Sequence, residues 1–177
     1  MNEKTQTLCI ECGAGMETRR ENYRYTASGL PHVTLHQVEV SRCPHCGETE
    51  VAIPHIEALH RALAKAIIQH PTRLAPEEIR YLRKYLGWAG VDFAAIMGVD
   101  PATVSRWERG ATPMGPQADR LLRTLVVNLA PVQDYSPDRL QALLTAIVEE
   151  ATPHVLYVGL DANEKDWVAQ ETALASV

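Results

Sequence analysis

Four cysteines carry the most specific chemistry in this 177-residue chain. Cys9-Ile10-Glu11-Cys12-Gly13 and Cys43-Pro44-His45-Cys46-Gly47 form two C-x2-C motifs, each followed by glycine, with 30 residues between them. Two intervening residues let a tight turn aim both sulfurs at one ion. Glycine after the second cysteine permits the left-handed backbone that curls the turn round the thiolates. Four thiolates make a closed tetrahedral site with no open position, which is structural rather than catalytic. We expect one structural Zn2+ per chain, held by Cys9, Cys12, Cys43 and Cys46. Redox C-x-x-C pairs, loose surface thiols and an iron–sulfur centre are the competing readings, since four-cysteine ligation is shared. The polar N-terminus has no signal-peptide core, so a cytoplasmic setting is expected, where such cysteines serve as ligands or redox thiols more often than as disulfides.

The second constellation lies in residues 82–110. Ala94 is small where two helices would cross closely. Gly98 would end one helix and Val99 plug the turn. Asp100 would cap the next helix, with Pro101 at its first position. Val104 and Trp107, three apart, would face inward, while Ala102, Ser105, Arg106 and Arg109 face outward. A short helix with an exposed N-terminal half and an Arg on it suits a DNA major groove. Arg106 is the candidate reader of bases or phosphate. Thr103 and Ser105 are candidates for phosphates or base edges. Arg109, Arg120 and Arg123 are phosphate candidates. Trp88 and Trp107 read as core.

These motifs need elements to hold them. Residues 17–27 and 32–42 read as strands, with Ser28-Gly29-Leu30-Pro31 as a turn. In the second strand alternation puts Val33, Leu35 and Gln37 on one face and His36, Val38 and Val40 on the other. Two strands between the knuckles would bring the cysteines together. Tyr23 and Tyr25 read as sheet packing. Pro54 opens a helix with Ile56, Leu59, Leu63 and Ile67 at helical spacing, and His70-Pro71 ends it. Pro76 starts another, with Ile79, Leu82 and Leu86 inward. Further helices are expected near 91–97, 101–109 and 116–129. Ser136-Pro137-Asp138 would cap one more, with Leu140, Leu143, Leu144 and Ile147 on its buried face. His154–Leu160 and Trp167–Thr172 read as a hairpin. The fold class is therefore α+β. The expected units are a zinc-bound β domain (1–54), a linker helix (55–71), an all-α helix-turn-helix domain (72–130) and an acidic C-terminal extension (131–177).

Residues 76–129 resemble the Xre/Cro-type helix-turn-helix family through Ser105-Arg106-Trp107-Glu108-Arg109-Gly110. Residues 9–129 as a whole resemble the MqsA/YgiT-type antitoxins, which join a four-cysteine zinc domain to this helix-turn-helix. The matching features are the paired Cys motifs, Leu74-Ala75-Pro76-Glu77-Glu78-Ile79 and the Arg83-Lys84 pair. The resemblance implies a dimeric DNA-binding regulator that represses its own operon and whose zinc domain engages a partner toxin. It also implies a structural ion pair between Arg83 and Glu108. Two departures stand out. The family's base-reading Asn is here Ala102. The family's Ser or Thr, then Gln, at the start of the preceding helix is here Ala89 and Gly90. Operator sequence should differ accordingly.

Charge supports this division of labour. Net charge is −5, but residues 131–177 hold two basic and eight acidic side chains, while residues 72–130 hold eight basic and six acidic. The middle of the chain can meet phosphates, and the tail should point away from them. No apolar run approaches the ~18 residues of a membrane helix. No nucleophile–base arrangement or phosphate loop appears, and Glu149-Glu150 reads as solvated, so an enzyme is not expected. The helix at 116–129 offers Leu121, Leu122, Leu125, Val126 and Leu129, more apolar surface than a small helical core needs. A homodimer through the helix-turn-helix half is expected, reading a palindromic duplex. The alternative cover for that face is the helix near 137–150. The competing function is a protein-binding module whose zinc domain engages a toxin while DNA binding is weak.

Overall fold

In the computed structural model the described residues are 7–129, 137–147, 154–160 and 166–173. Ser136, Glu149, Glu150 and the 161–165 connection therefore lie outside them, as do the side chains of Leu140 and Leu143.

Strand β1 (Glu17–Arg24) runs antiparallel to β2 (Val33–Arg42) through a short 3-10 turn at Thr26–Ser28. Strict alternation fails in β2, and this corrects the two-faced reading. Val33, Leu35, Val38 and Val40 are all buried, while His36 and Gln37 are both exposed. The cause is a β-bulge. Glu21 pairs with Val38 and Tyr23 with Leu35, so Asn22 alone opposes His36 and Gln37. Gln37 takes φ 52°, and its backbone N–H donates to Asn22 Oδ1 at 3.2 Å. One extra residue resets the period, and four apolar side chains reach the same core.

The other edge of β2 serves two partners. β3 (Thr49–Ala52) pairs antiparallel with Glu39 to Arg42. β4 (His154–Leu160) pairs in parallel with Val33 to Leu35, and β5 (Trp167–Ala173) closes an antiparallel hairpin on β4. The expected hairpin thus exists, and it completes the N-terminal sheet. Helix α1 (Ile56–Gln69) packs on β4 and β5 with Leu59, Leu63, Ile67 and Ile68 fully buried. The Trp167 indole N–H donates to Pro54 O at 2.9 Å. Tyr25 is buried as sheet packing, and its hydroxyl lies 3.4 Å from His60 Nε2. His60 Nδ1 in turn lies 2.9 Å from the Tyr81 hydroxyl, and burial lowers the His60 pKa.

The helical half comprises α2 (Pro76–Tyr85), α3 (Gly90–Met97), α4 (Pro101–Glu108) and α5 (Pro116–Leu129), followed by α6 (Pro137–Ala146). One continuous apolar core runs from Tyr25 and Leu30 of the sheet end through α1 to Phe93, Val104, Trp107 and Val126. Trp107 is core, as expected. Trp88 is half-buried and stacks on Phe93 with centroids 6.1 Å apart.

Arg123 is where the structure departs most from the expectation of a phosphate contact. It is fully buried. Its guanidinium pairs with Asp119 Oδ1 at 2.7 Å and donates to the carbonyls of Ile67, Ile68, His70 and Thr72. Pro71 stops α1 and offers no N–H to Ile67 O, which takes the His70 N–H at 3.3 Å instead, and a cation at a helix C-terminus satisfies carbonyls that the ended helix leaves short of partners. Asp119 Oδ2 accepts from Leu74 N at 2.8 Å. This pair therefore fixes the α1–α2 corner against α5. Arg120 is exposed and donates to Leu144 O of α6 at 3.0 Å.

Candidate metal centre and nucleic-acid interface

The two knuckles are built alike. Cys9 N donates to Ala14 O, and Gly13 N to Cys9 O. Cys43 N donates to Glu48 O, and Gly47 N to Cys43 O. Gly13 and Gly47 sit at φ 71° and 79°, the left-handed region where a side chain would strain the turn. Pairing of β1 with β2 brings the turns together. Cys9 Sγ lies 3.5 Å from Cys46 Sγ and Cys12 Sγ 3.5 Å from Cys43 Sγ, and all four sulfurs fall within 4.8 Å of one another. A disulfide needs about 2.05 Å, so these are free thiols. A tetrahedron of metal–sulfur bonds of about 2.3 Å sets its sulfurs about 3.8 Å apart. The donor set therefore fits a metal ion with no open coordination position. The N–H groups of Cys46 and His45 point at Cys43 Sγ and lower its pKa to about 6, while the sulfurs packed beside Cys12 and Cys46 push those two thiols up. Among the described residues Met16 joins Cys9 and Cys43 in a separate small buried cluster, with Ala14 packed against it.

The helix-turn-helix geometry follows from its capping. Gly98 ends α3, and Val99 N reaches back to Ala94 O at 3.0 Å. Ala94 is buried at the crossing of α3 and α4. Asp100 Oδ1 accepts from Thr103 N at 3.0 Å and starts α4. Val104 and Trp107 anchor its inner side. Its far end is pinned by Glu108, which receives Arg83 Nε at 2.5 Å and Nη2 at 3.1 Å with both side chains 12% exposed. Arg80 donates to the Glu108 carbonyl at 2.5 Å. The expected Arg83–Glu108 pair is present.

Residues 5–131 match the family described as the antitoxin component of a bacterial toxin–antitoxin system, MqsA. The chain belongs to the MqsA antitoxin family. The match spans both the cysteine cluster and the helix-turn-helix, and it stops before α6, β4 and β5. Comparison with curated proteins finds no match. No described helix is long and apolar enough to cross a membrane.

On this MqsA-family frame the five candidate DNA-facing residues lie along α4 and its C-cap, Arg109. Ala102, Arg106 and Arg109 are exposed, and Thr103 and Ser105 half-exposed. Arg106 Nη2 donates to Thr103 Oγ1 at 2.8 Å, and the Thr103 hydroxyl donates to Asp100 Oδ2 at 2.5 Å. Arg109 Nε donates to Ser105 O at 3.1 Å. The Thr103 hydroxyl and N–H, with the Arg106 charge, hold the Asp100 carboxyl below its ordinary pKa. Sequence reasoning assigned Asp100 only a cap. The Asp-x-x-Thr-x-x-Arg spacing, which stacks three polar side chains on one helix face, was the signal available. Ala89 and Gly90 open α3 with no side-chain cap.

Proposed function

We propose that the chain is a sequence-specific DNA-binding regulator of the antitoxin type that represses its own operon from the cytoplasm. The observation that carries this reading is the anchored outer face of α4. Val104, Trp107 and the Arg83–Glu108 pair fix the helix from behind. Arg106 then projects from the free side with 46% of its side chain exposed. A guanidinium in a major groove pairs with the O6 and N7 acceptors of guanine. Ser105 and Arg109, on the same open side, are the phosphate contacts in this reading. Thr103 and Ala102 complete the DNA-facing surface.

The four cysteines in this reading hold one structural Zn2+ per chain, and the chain carries no catalytic step. Its units in this reading are residues 1–54, 55–71, 72–130 and 131–177, with β4 and β5 of the last joined to the sheet of the first. Two copies associate through α5. Leu121 and Leu129 are 41% and 60% exposed at helical spacing, so α6 leaves part of that apolar stripe open. A homodimer would present two α4 helices to half-sites about one DNA turn apart, on a palindromic duplex. Gel shifts with the DNA upstream of the chain's own reading frame test the proposal. A salt-sensitive complex that random duplex does not form is expected. Equal binding to both duplexes would defeat it.

A second reading is a module that mainly engages a toxin through its zinc domain. The alanine at position 102, which offers no hydrogen-bonding group, favours it. A stoichiometric protein complex without operator binding would select this reading.

A further inference from the structure

The three polar side chains at the start of α4 form a relay, and its direction decides which of them can meet DNA. Thr103 Oγ1 has a single proton. That proton goes to Asp100 Oδ2 at 2.5 Å, and the oxygen accepts from Arg106 Nη2 at 2.8 Å. The hydroxyl therefore has no donor left for a phosphate oxygen or a base acceptor. Asp100 Oδ1 is occupied by the Thr103 N–H. Arg106 Nη2 lies 3.9 Å from Asp100 Oδ2, close enough for the carboxylate charge to act on it. A long side chain that would otherwise sample many rotamers is thus held along the helix face toward its N-terminus.

We infer that Asp100 and Thr103 are positioning residues for Arg106, the carboxylate acting through the threonine hydroxyl, and that neither reads DNA itself. This rests on the DNA-binding reading above. The relay uses one of the two Nη2 hydrogens of Arg106, so the other edge of the guanidinium, with the second Nη2 hydrogen, stays uncommitted among the described contacts, and a guanine needs two donors on one edge. Pre-ordering the side chain removes an entropic cost from specific binding but not from loose phosphate contacts. The relay therefore acts on discrimination between sequences. The Asp100 carboxylate also lies on the DNA-facing side, where its charge opposes binding to any duplex equally.

The test measures full-length protein against two duplexes of equal length, the DNA upstream of its own reading frame and a random sequence. Thr103→Val keeps the β-branched shape and the backbone cap while removing the relay oxygen. We expect discrimination, the ratio of the two affinities, to fall about tenfold per half-site, with helicity unchanged. Thr103→Ser restores the hydroxyl and should restore discrimination. Asp100→Asn keeps the Oδ1 cap acceptor but puts an NH2 donor where Oδ2 accepts the Thr103 hydroxyl. It should lose discrimination and bind random duplex more tightly, because one negative charge has gone. Carboxyl-carbon NMR of Asp100 reads the relay without DNA, and Thr103→Val should raise its titration midpoint. Wild-type discrimination in Thr103→Val, or an unmoved Asp100 midpoint, would overturn the inference. A wild-type protein that shows no discrimination, with the Asp100 midpoint still shifting in Thr103→Val, would instead defeat the DNA-binding reading and this inference with it.

Discussion

The cysteine knuckles and the helix-turn-helix solve the same problem with different physics. Each must hold a short surface turn in one conformation. Around the knuckles the buried set is Cys9, Met16 and Cys43, and Leu8 and Ile10 beside them are 63% and 83% exposed. That is too little apolar burial to fix two turns, which leaves the four-cysteine cluster, suited to a metal ion, to do it. The turn between α3 and α4 sits instead on a continuous core with Phe93, Ala94, Val104 and Trp107 buried beneath it. Local order therefore rests on the four-cysteine cluster in one region and on packing in the other.

Removing the metal should break this comparison most visibly. Structural zinc sites contribute on the order of 10 kcal/mol to the order of their own domain. Chelation, or any single Cys→Ser at the four positions, should abolish amide protection in residues 8–16 and 43–48. Protection in α2 to α5 should persist, because the apolar core described for them contains no cysteine. Hydrogen exchange followed by mass spectrometry, with metal analysis of the same sample, checks this. Loss of protection throughout the chain would mean that the two regions are not independent.

The packed half has its own point of failure. Arg123→Met would leave Asp119 as an unpaired buried carboxylate and free the carbonyls of Ile67, Ile68, His70 and Thr72. Breaking a buried pair from one side costs about 3–5 kcal/mol. Denaturant unfolding should register that loss, while metal content stays at the wild-type level. Glu108→Ala should cost less, about 2–3 kcal/mol, because the Arg83 it strands is only partly buried. Arg106→Ala should move stability by no more than about 0.5 kcal/mol. Its effect belongs to binding, where a lost bidentate contact costs about 1–3 kcal/mol per half-site. Comparing Glu108→Ala with Arg106→Ala thus separates the residue that holds α4 from the residue that α4 presents.

What could be read from the sequence follows the range of each interaction. The knuckles were legible because a C-x2-C-Gly turn is closed by bonds within six residues, as Cys9 with Ala14 and Cys43 with Glu48 show. The α3–α4 turn was legible for the same reason. Arg123 was not, since its carbonyl acceptors lie 51 to 56 residues away and carry no side-chain signature. The hairpin was legible as a hairpin. Its parallel addition to β2 was not, because only three residue pairs join them and the two strands lie more than 100 residues apart in the chain.

The smallest expected effect concerns the bulge that alternation could not reveal. Gln37 holds φ 52°, which costs an L-residue roughly 1–2 kcal/mol relative to the right-handed region. Its compensation is local, since its backbone N–H and side-chain amide both reach Asn22 Oδ1, at 3.2 and 3.4 Å. Gln37→Gly removes the strain and keeps the backbone bond. It gives up only the longer side-chain contact and adds freedom to the unfolded chain. The balance favours glycine by about 0.5 kcal/mol. Gln37→Val reverses the sign, because a β-branched residue is least tolerant of positive φ, and should cost more than the glycine gains. Denaturation midpoints of the two variants against wild type decide this. If valine were tolerated as well as glycine, the bulge would have slipped by one residue. Val38 and Val40 would then leave the face they share with Val33 and Leu35, and the core beneath α1 would be packed from one side of a regular strand.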